Sequence, residues 1–474
     1  VGPSPEGDAA RVRAVLRDAL GQAHAIERAF VAGGALGLEG APYLPLDQAL
    51  SAWRAALLAG DRARRLALAE LAALAGARAW TPYLVELARF LDAPELWAAL
   101  ERLGGVRFTG GTKLARWTAW AWALPFALDG AFVDWKRALL AAEVPALAPL
   151  LHPGGALDWR HVVWGGVAPG GIPALHDPPV LRAAEAGYLG DQDVVFGAWV
   201  DGQARAYPVR ILDWHELVND TLGGRPVALS YCPLCGSAIL FERAVDGVTY
   251  AFETSGLLYR GNKLMVDTQT LRLWPNLLGR PLAGPLAGAG VELPRLPLTV
   301  TSWGAWRARH PETDVLDPET GGFFTYEGHE AYDLYRVQET VMVPAGGADD
   351  ARLPPKAWVY GLRAGGVAVA FPVDALERAG ALNDRIGELP VVLLAEPVPG
   401  SQHGFYPASV RAYARGDRVL ARRDGALVDQ DGARWAVAED ALRAGGVSLA
   451  RLGGEAAYWF AWRAFHPDTE LRVP

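Results

Sequence analysis

The feature that most restricts what this 474-residue chain can fold into is that it repeats itself. Gly197, Pro208, Asn219, Asp220, Gly223 and Pro226 recur 164 positions later as Gly361, Pro372, Asn383, Asp384, Gly387 and Pro390. A second run, Trp306-Arg-Ala-Arg-His-Pro-Glu-Thr313, returns 156 positions later as Trp462-Arg-Ala-Phe-His-Pro-Asp-Thr469. Self-similarity at a near-constant period means that one folding unit is used twice. The expected architecture is α+β: a helical N-terminal domain (1–148) followed by two duplicated, mostly β domains that form a pseudo-dimer. A Pro/Gly-rich connector (149–190) leads to the first β-rich copy (191–325). A second connector (326–356) leads to a degenerate copy (357–474).

Local patterning assigns the element types. Apolar residues of the 47–75 stretch (Leu50, Trp53, Leu57 and Leu58) and of the start of the chain (Val12, Val15, Leu16 and Leu20) keep one helical face, and glycines at 34, 60, 104–105 and 110–111 punctuate the helices. Trp117, Trp120, Trp122 and Trp135 read as core, and His24 as a helical residue. From Val194 short apolar runs alternate with turn pairs. Asp201-Gly202 predicts a hairpin, Ile211 to Val218 a short helix, and Pro226 to Tyr231 a buried strand that delivers Cys232. A further hairpin is expected from Ala238–Arg243 and Val248–Phe252 around Asp246-Gly247.

The repeat also sorts residues by role. Those present in both copies build the fold; those present only in the first are candidates for chemistry. His310 returns as His466 and Asp267 as Asp429, which marks them as structural. Cys232, Cys235 and His215, by contrast, face Glu396, Pro399 and Ala379. The chain holds two cysteines, three positions apart in Tyr231-Cys-Pro-Leu-Cys-Gly-Ser237. That spacing suits one metal ion, a redox couple or a tight disulfide. A hairpin context, in place of a helix N-terminus, counts against a thioredoxin-type arrangement. Met265, one of two methionines, faces Leu427 and is a candidate soft ligand. Ser255 to Asn262 has no clear counterpart; its Tyr259 and Arg260 are candidates for binding an anionic substrate group or favouring a thiolate. His152, His161 and His176 lack ligand spacing, and His329 (near Tyr326, Tyr332 and Tyr335) and His403 carry less support.

Composition narrows the partners. A formal net charge of −8 argues against nucleic acid or an anionic membrane as the main partner. The most apolar run, residues 117–128, is too short to span a bilayer and contains Pro125, so no integral membrane segment is expected. A chain that begins at Val1 suits removal of a signal peptide or an engineered start, giving a periplasmic or secreted location with the cytoplasm as alternative.

The segments from Gly171-Ile-Pro-Ala-Leu to Tyr188-Leu, then Ala206-Tyr-Pro, Trp214-His-Glu-Leu-Val-Asn-Asp220, Tyr231 to Ser237, Ser255 to Asn262 and Trp306 to Thr313 resemble the bacterial family called domain of unknown function 3179. The resemblance covers about residues 168–340, with the second copy more diverged, and implies little about activity. His176 stands where such proteins are expected to carry an acid.

Three functions follow as expectations. The first is a metal-binding oxidoreductase acting on a small-molecule substrate. Cys232, Cys235 and His215 hold the metal with Met265, while Tyr259 and Arg260 stand near the substrate. Copper is favoured by thiolate, imidazole and thioether together; zinc suits Cys-Cys-His with an open position. The second is a non-catalytic scaffold stiffened by a Cys232–Cys235 disulfide, and the third a metal-free thiol–disulfide redox protein.

Overall fold

The computed structural model describes residues 46–474 apart from 75, 77, 125–127, 286–289, 322–325, 327–330, 347–349 and 400–404; of residues 46–50 and 52 it describes the backbone alone. His24, His329, His403 and the first expected helical run lie outside the described residues. The protein is mixed α+β and divides into two compact units. One takes the described residues up to Pro153 together with Asp158–Trp164, the other Gly154–Leu157 and Gly165–Pro474.

The first unit is built on helices Leu46–Ala59, Arg62–Leu74, Thr81–Leu87, Pro94–Gly104, Lys113–Trp122 and Gly130–Glu143. Two of their ends show capping chemistry: the Asp129 carboxylate accepts the Phe132 amide (2.8 Å), and Gly105 closes Pro94–Gly104 in the left-handed conformation. Trp117 and Trp135 are buried as expected, with Trp53, Trp80 and Phe132 beside them in one core. Within that core Lys136 is fully buried, its Nζ donating to Glu86 (2.8 Å) and to the Arg160 carbonyl (3.2 Å). Among the described residues no helix is long and apolar enough to cross a membrane.

The second unit is mainly β. One sheet has strands in the order Arg295–Leu296, Ser237–Glu242, Arg225–Cys232, Leu217–Leu222 and Leu175–His176; another runs Leu298–Ser302, Val194–Val200, Gln203–Pro208, Asp314–Leu316 and Val180–Arg182. The Asp201-Gly202 hairpin is present, both residues having positive φ (44° and 91°) as its two-residue turn requires. Two expectations need correction. The helix is Val209–His215, not Ile211–Val218, because Glu216 turns left-handed (φ 56°) and Leu217 starts a strand. The strand after the cysteines pairs back onto the cysteine strand, Cys232 opposite Ser237, leaving only Ala244–Val245 and Val248–Thr249 around Asp246-Gly247. The two cysteines therefore form the connection of a hairpin.

Several local arrangements occur twice in this unit. Gly197 and Gly361 each lie under an indole: a Cβ would stand 2.3 Å from the Trp306 ring and 2.2 Å from the Trp462 ring. Each indole donates to a threonine, Trp306 to Thr313 and Trp462 to Thr469, both at 2.9 Å. Thr299 pairs with Gly197 as Glu455 pairs with Gly361, and Asp314 lies opposite Arg205 as Glu470 lies opposite Val369. Asn219 exchanges two hydrogen bonds with the Phe252 backbone, and Asn383 does the same with Leu420. His310 and His466 cap the helices Trp303–Arg309 and Trp459–Phe465, each ring lying tilted against its tryptophan at 4.2 and 4.1 Å between centres. Asp267 and Asp429 each accept a tryptophan N–H (2.9 and 3.1 Å) inside a turn. One apolar core joins Cys232, Cys235, Met265 and Trp274 to Val359, Trp459 and Trp462.

Candidate functional site

The strand Arg225–Cys232 carries six consecutive buried residues, Val227 to Cys232, and ends in the 3₁₀ turn Pro233–Cys235. Gly236 then takes φ 63°, and the chain returns as Ser237–Glu242. This tight geometry brings the Cα atoms of Cys232 and Cys235 to 5.6 Å, and the two sulfurs are joined as a disulfide. Both residues are buried, with relative exposures of 1% and 0%.

Polar groups hold the turn from several sides. The Asn262 amide nitrogen lies 2.9 Å from Cys235 Sγ as a donor, and Ser237 Oγ lies 3.5 Å from the same sulfur. Asn262 is itself oriented, its Oδ1 accepting the Leu277 amide (3.1 Å), while Asn276 donates to Ser237 Oγ (2.9 Å). From the connector the Tyr335 hydroxyl donates to the Leu234 carbonyl (2.7 Å), and from the C-terminal half Tyr406 donates to the Gly236 carbonyl (2.5 Å). Trp358 and Tyr458 pack so close to Gly236 that a Cβ there would stand 2.5 Å from the Trp358 ring.

Beside the cysteine strand lies a buried charged group. Lys263 donates to the carbonyls of Tyr231 and Glu216, each at 2.6 Å, and stands 3.8 Å from the Glu216 carboxylate. Tyr332 donates to that carboxylate (2.9 Å). Burial pushes the Lys263 ammonium down to about 8 against the pull of Glu216, and burial raises Glu216 despite Lys263. Next to it Arg336 bonds both Asp213 oxygens (2.5 and 2.8 Å) and the Tyr231 hydroxyl (3.1 Å).

The residues expected from sequence are distributed unevenly around this centre. His215 is buried, but its Nδ1–H donates to the Pro173 carbonyl (2.8 Å) and its Nε2 accepts the Tyr326 hydroxyl. Burial lowers its pKa, so the ring is neutral near pH 7, and burial pushes Tyr326 up to about 12. Among the described residues no three His, Cys, Asp or Glu side chains come together as a metal-ligand group. Met265 is fully buried in the same apolar core as the cysteines. Tyr259 is buried edge-on to Phe465. Arg260 occupies the turn of the hairpin Phe252–Tyr259/Asn262–Asp267 with Gly261 (φ 50° and 75°), and its Nε donates to the Tyr259 hydroxyl (3.1 Å). The loop does approach the cysteine turn, through Asn262. His176, at the surface, pairs with Glu253 (2.7 Å).

Asn262 belongs to the loop that the sequence brings toward the cysteine turn, whereas Glu216 and Lys263 carry no role in the sequence reading, although signals exist for both. Glu216 stands 164 positions before Gly380, so a charged residue replaces a glycine at one register position. Lys263 is one of four lysines in the chain.

A family model described as a protein of unknown function, DUF3179, matches residues 169–469, and so takes in the second copy of the repeated pattern as well as the first. No curated protein and no solved structure matches the chain.

Proposed function

The chain belongs to the DUF3179 family, and since that description names no activity, we propose from the site itself that Cys232–Cys235 is a two-electron thiol–disulfide couple that oxidises a small dithiol. The observation that carries this reading is the Asn262 amide on Cys235 Sγ. A cystine sulfur is a weak acceptor and gains little from such a donor, whereas a thiolate gains much. The donor therefore favours Cys235 as the leaving thiolate and Cys232 as the sulfur attacked. One substrate thiolate attacks Cys232 Sγ, the S–S bond breaks, and its electron pair departs on Cys235. The second substrate thiol then displaces Cys232, so that the substrate leaves as a disulfide and both cysteines as thiols.

A purely structural role is less well supported. Closing a ring of residues 232–235 restricts the unfolded chain by only about 2 kcal/mol. The register-equivalent positions 396 and 399 carry Glu and Pro, so that turn has no cross-link.

The same reading places the couple in one of two related copies. Residues 191–325 and 357–474 form a pseudo-dimer in which the second copy retains the frame and has lost the chemistry. The paired glycine–tryptophan contacts, asparagine bridges and strand registers support this. Pro173, from the connector 149–190, and Tyr335 and Arg336, from the connector 326–356, serve the first copy.

The test is native-state reduction by dithiothreitol, quenched with an alkylating reagent and read by mass. The parent should cycle reversibly by two electrons. Asn262→Leu should slow reduction by about tenfold or more, the equivalent of one hydrogen bond to a charged sulfur. A cystine that resists reduction until the protein unfolds, or an unaffected Asn262→Leu variant, would make the bond a staple. Near-stoichiometric copper or zinc held by the reduced parent, and absent from Cys232→Ser/Cys235→Ser, would put a metal centre in its place.

A further inference from the structure

Glu216 is a residue for which the backbone is unsuited. It closes the helix Val209–His215 with φ 56°, its amide donating to the Leu212 carbonyl (2.7 Å). Gly380 closes the helix Val373–Ala379 in the corresponding way, with φ 66° and a 2.9 Å bond to the Leu376 carbonyl. A left-handed residue with a Cβ costs about 1–2 kcal/mol, a cost glycine avoids. Here the residue is also a carboxylic acid, 7% exposed, and it faces a lysine that is 4% exposed. Strain and desolvation together at one position need a return elsewhere.

The pair touches the couple's own backbone. Lys263 donates to the carbonyl of Tyr231, the peptide group that bears Cys232, and its chain neighbour Asn262 donates to Cys235 Sγ. We propose that the Glu216–Lys263 pair tunes the Cys232–Cys235 couple. On this proposal the Lys263 ammonium offsets the negative charge that develops when the S–S bond opens, and Glu216 keeps that ammonium charged inside the protein. The inference rests on the redox reading of the cystine. Neither residue touches a sulfur, so both act as positioning residues. The other groups facing the pair are Tyr332, hydrogen-bonded to Glu216, and behind it Asp213, Arg336 and Asp333; His215, adjacent in the chain, is neutral.

The consequence is a pH dependence with a definite sign. An ammonium is lost as pH rises, so reduction by dithiothreitol, divided by the reagent's own thiolate fraction, should fall at least tenfold across alkaline pH in the parent. Glu216→Gly installs the residue found at position 380, so the fold should be kept or strengthened. Without the carboxylate the ammonium loses its counter-charge and gives up its proton more easily, and the break should move down by about one pH unit. Glu216→Gln, which keeps the side-chain shape, should move it in the same direction. A flat parent profile, or a break that stays in place in both variants while the cystine still cycles, overturns the inference alone. Failure of the parent cystine to be reduced in the folded protein overturns the redox reading and this inference with it.

Discussion

Arg336→Met should lower the unfolding free energy of the β-rich unit by about 3–5 kcal/mol, measured by denaturant titration. The Arg336 and Asp213 side chains are 1% and 0% exposed. The guanidinium bonds both Asp213 oxygens, reaches the Tyr231 hydroxyl and Asp333, and lies 4.2 Å from the centre of the Phe405 ring. Methionine replaces much of the volume but supplies no charge, so the Asp213 carboxylate would remain buried without that guanidinium. Replacing both partners, as Asp213→Leu with Arg336→Met, should recover most of the loss, because an ion pair and a packed apolar pair of similar size differ little in net stability. A single-variant deficit under about 1 kcal/mol would mean that water reaches Asp213. The effect matters for the site because Arg336 ties the helix Asp333–Val337 to the strand that carries Cys232.

Gly236→Ala should cost about 3 kcal/mol and make the cystine easier to reduce. Two separate costs add. Alanine at φ 63° pays for the left-handed conformation, and its Cβ would stand 2.5 Å from the Trp358 ring, far inside contact distance. Relief must come from moving the turn away from Trp358 and Tyr458, which loosens the Tyr406 hydroxyl on the Gly236 carbonyl. Adding Trp358→Leu should return the packing part and leave about 1 kcal/mol of backbone cost. Full recovery in the double variant would mean that the left-handed conformation carries no cost, and no recovery would mean that the indole is not the obstacle.

Much of the frame was legible without coordinates, because its cues are local or repeated. Asp201-Gly202 specifies a two-residue turn within its own neighbourhood. Gly197 recurs as Gly361 and Trp306 as Trp462, and each glycine lies under the tryptophan of its own copy of the pattern. The helix boundary at 215 is not legible locally, because Leu217 and Val218 continue an apolar pattern that suits helix and strand alike, and the left-handed turn falls on a glutamate whose only mark is the glycine at position 380. Likewise the strand Ser237–Glu242 pairs back onto the preceding cysteine strand and not onto the run after Asp246-Gly247, a choice of partner that propensity does not encode.

The sequence by itself determined that half of this chain is built on a repeated pattern, that its two cysteines are spaced to act as a pair, and which side chains one half lacks. Those are properties of order and spacing along the chain. Only the tertiary structure decided what surrounds the sulfurs. His215 finds the Tyr326 hydroxyl 111 residues away, Asn262 reaches Cys235 across 27, and Tyr406 reaches Gly236 across 170. Buried polar groups take whichever partner the packing brings within hydrogen-bond distance, and that distance is set by how the strands stack, which no local pattern states.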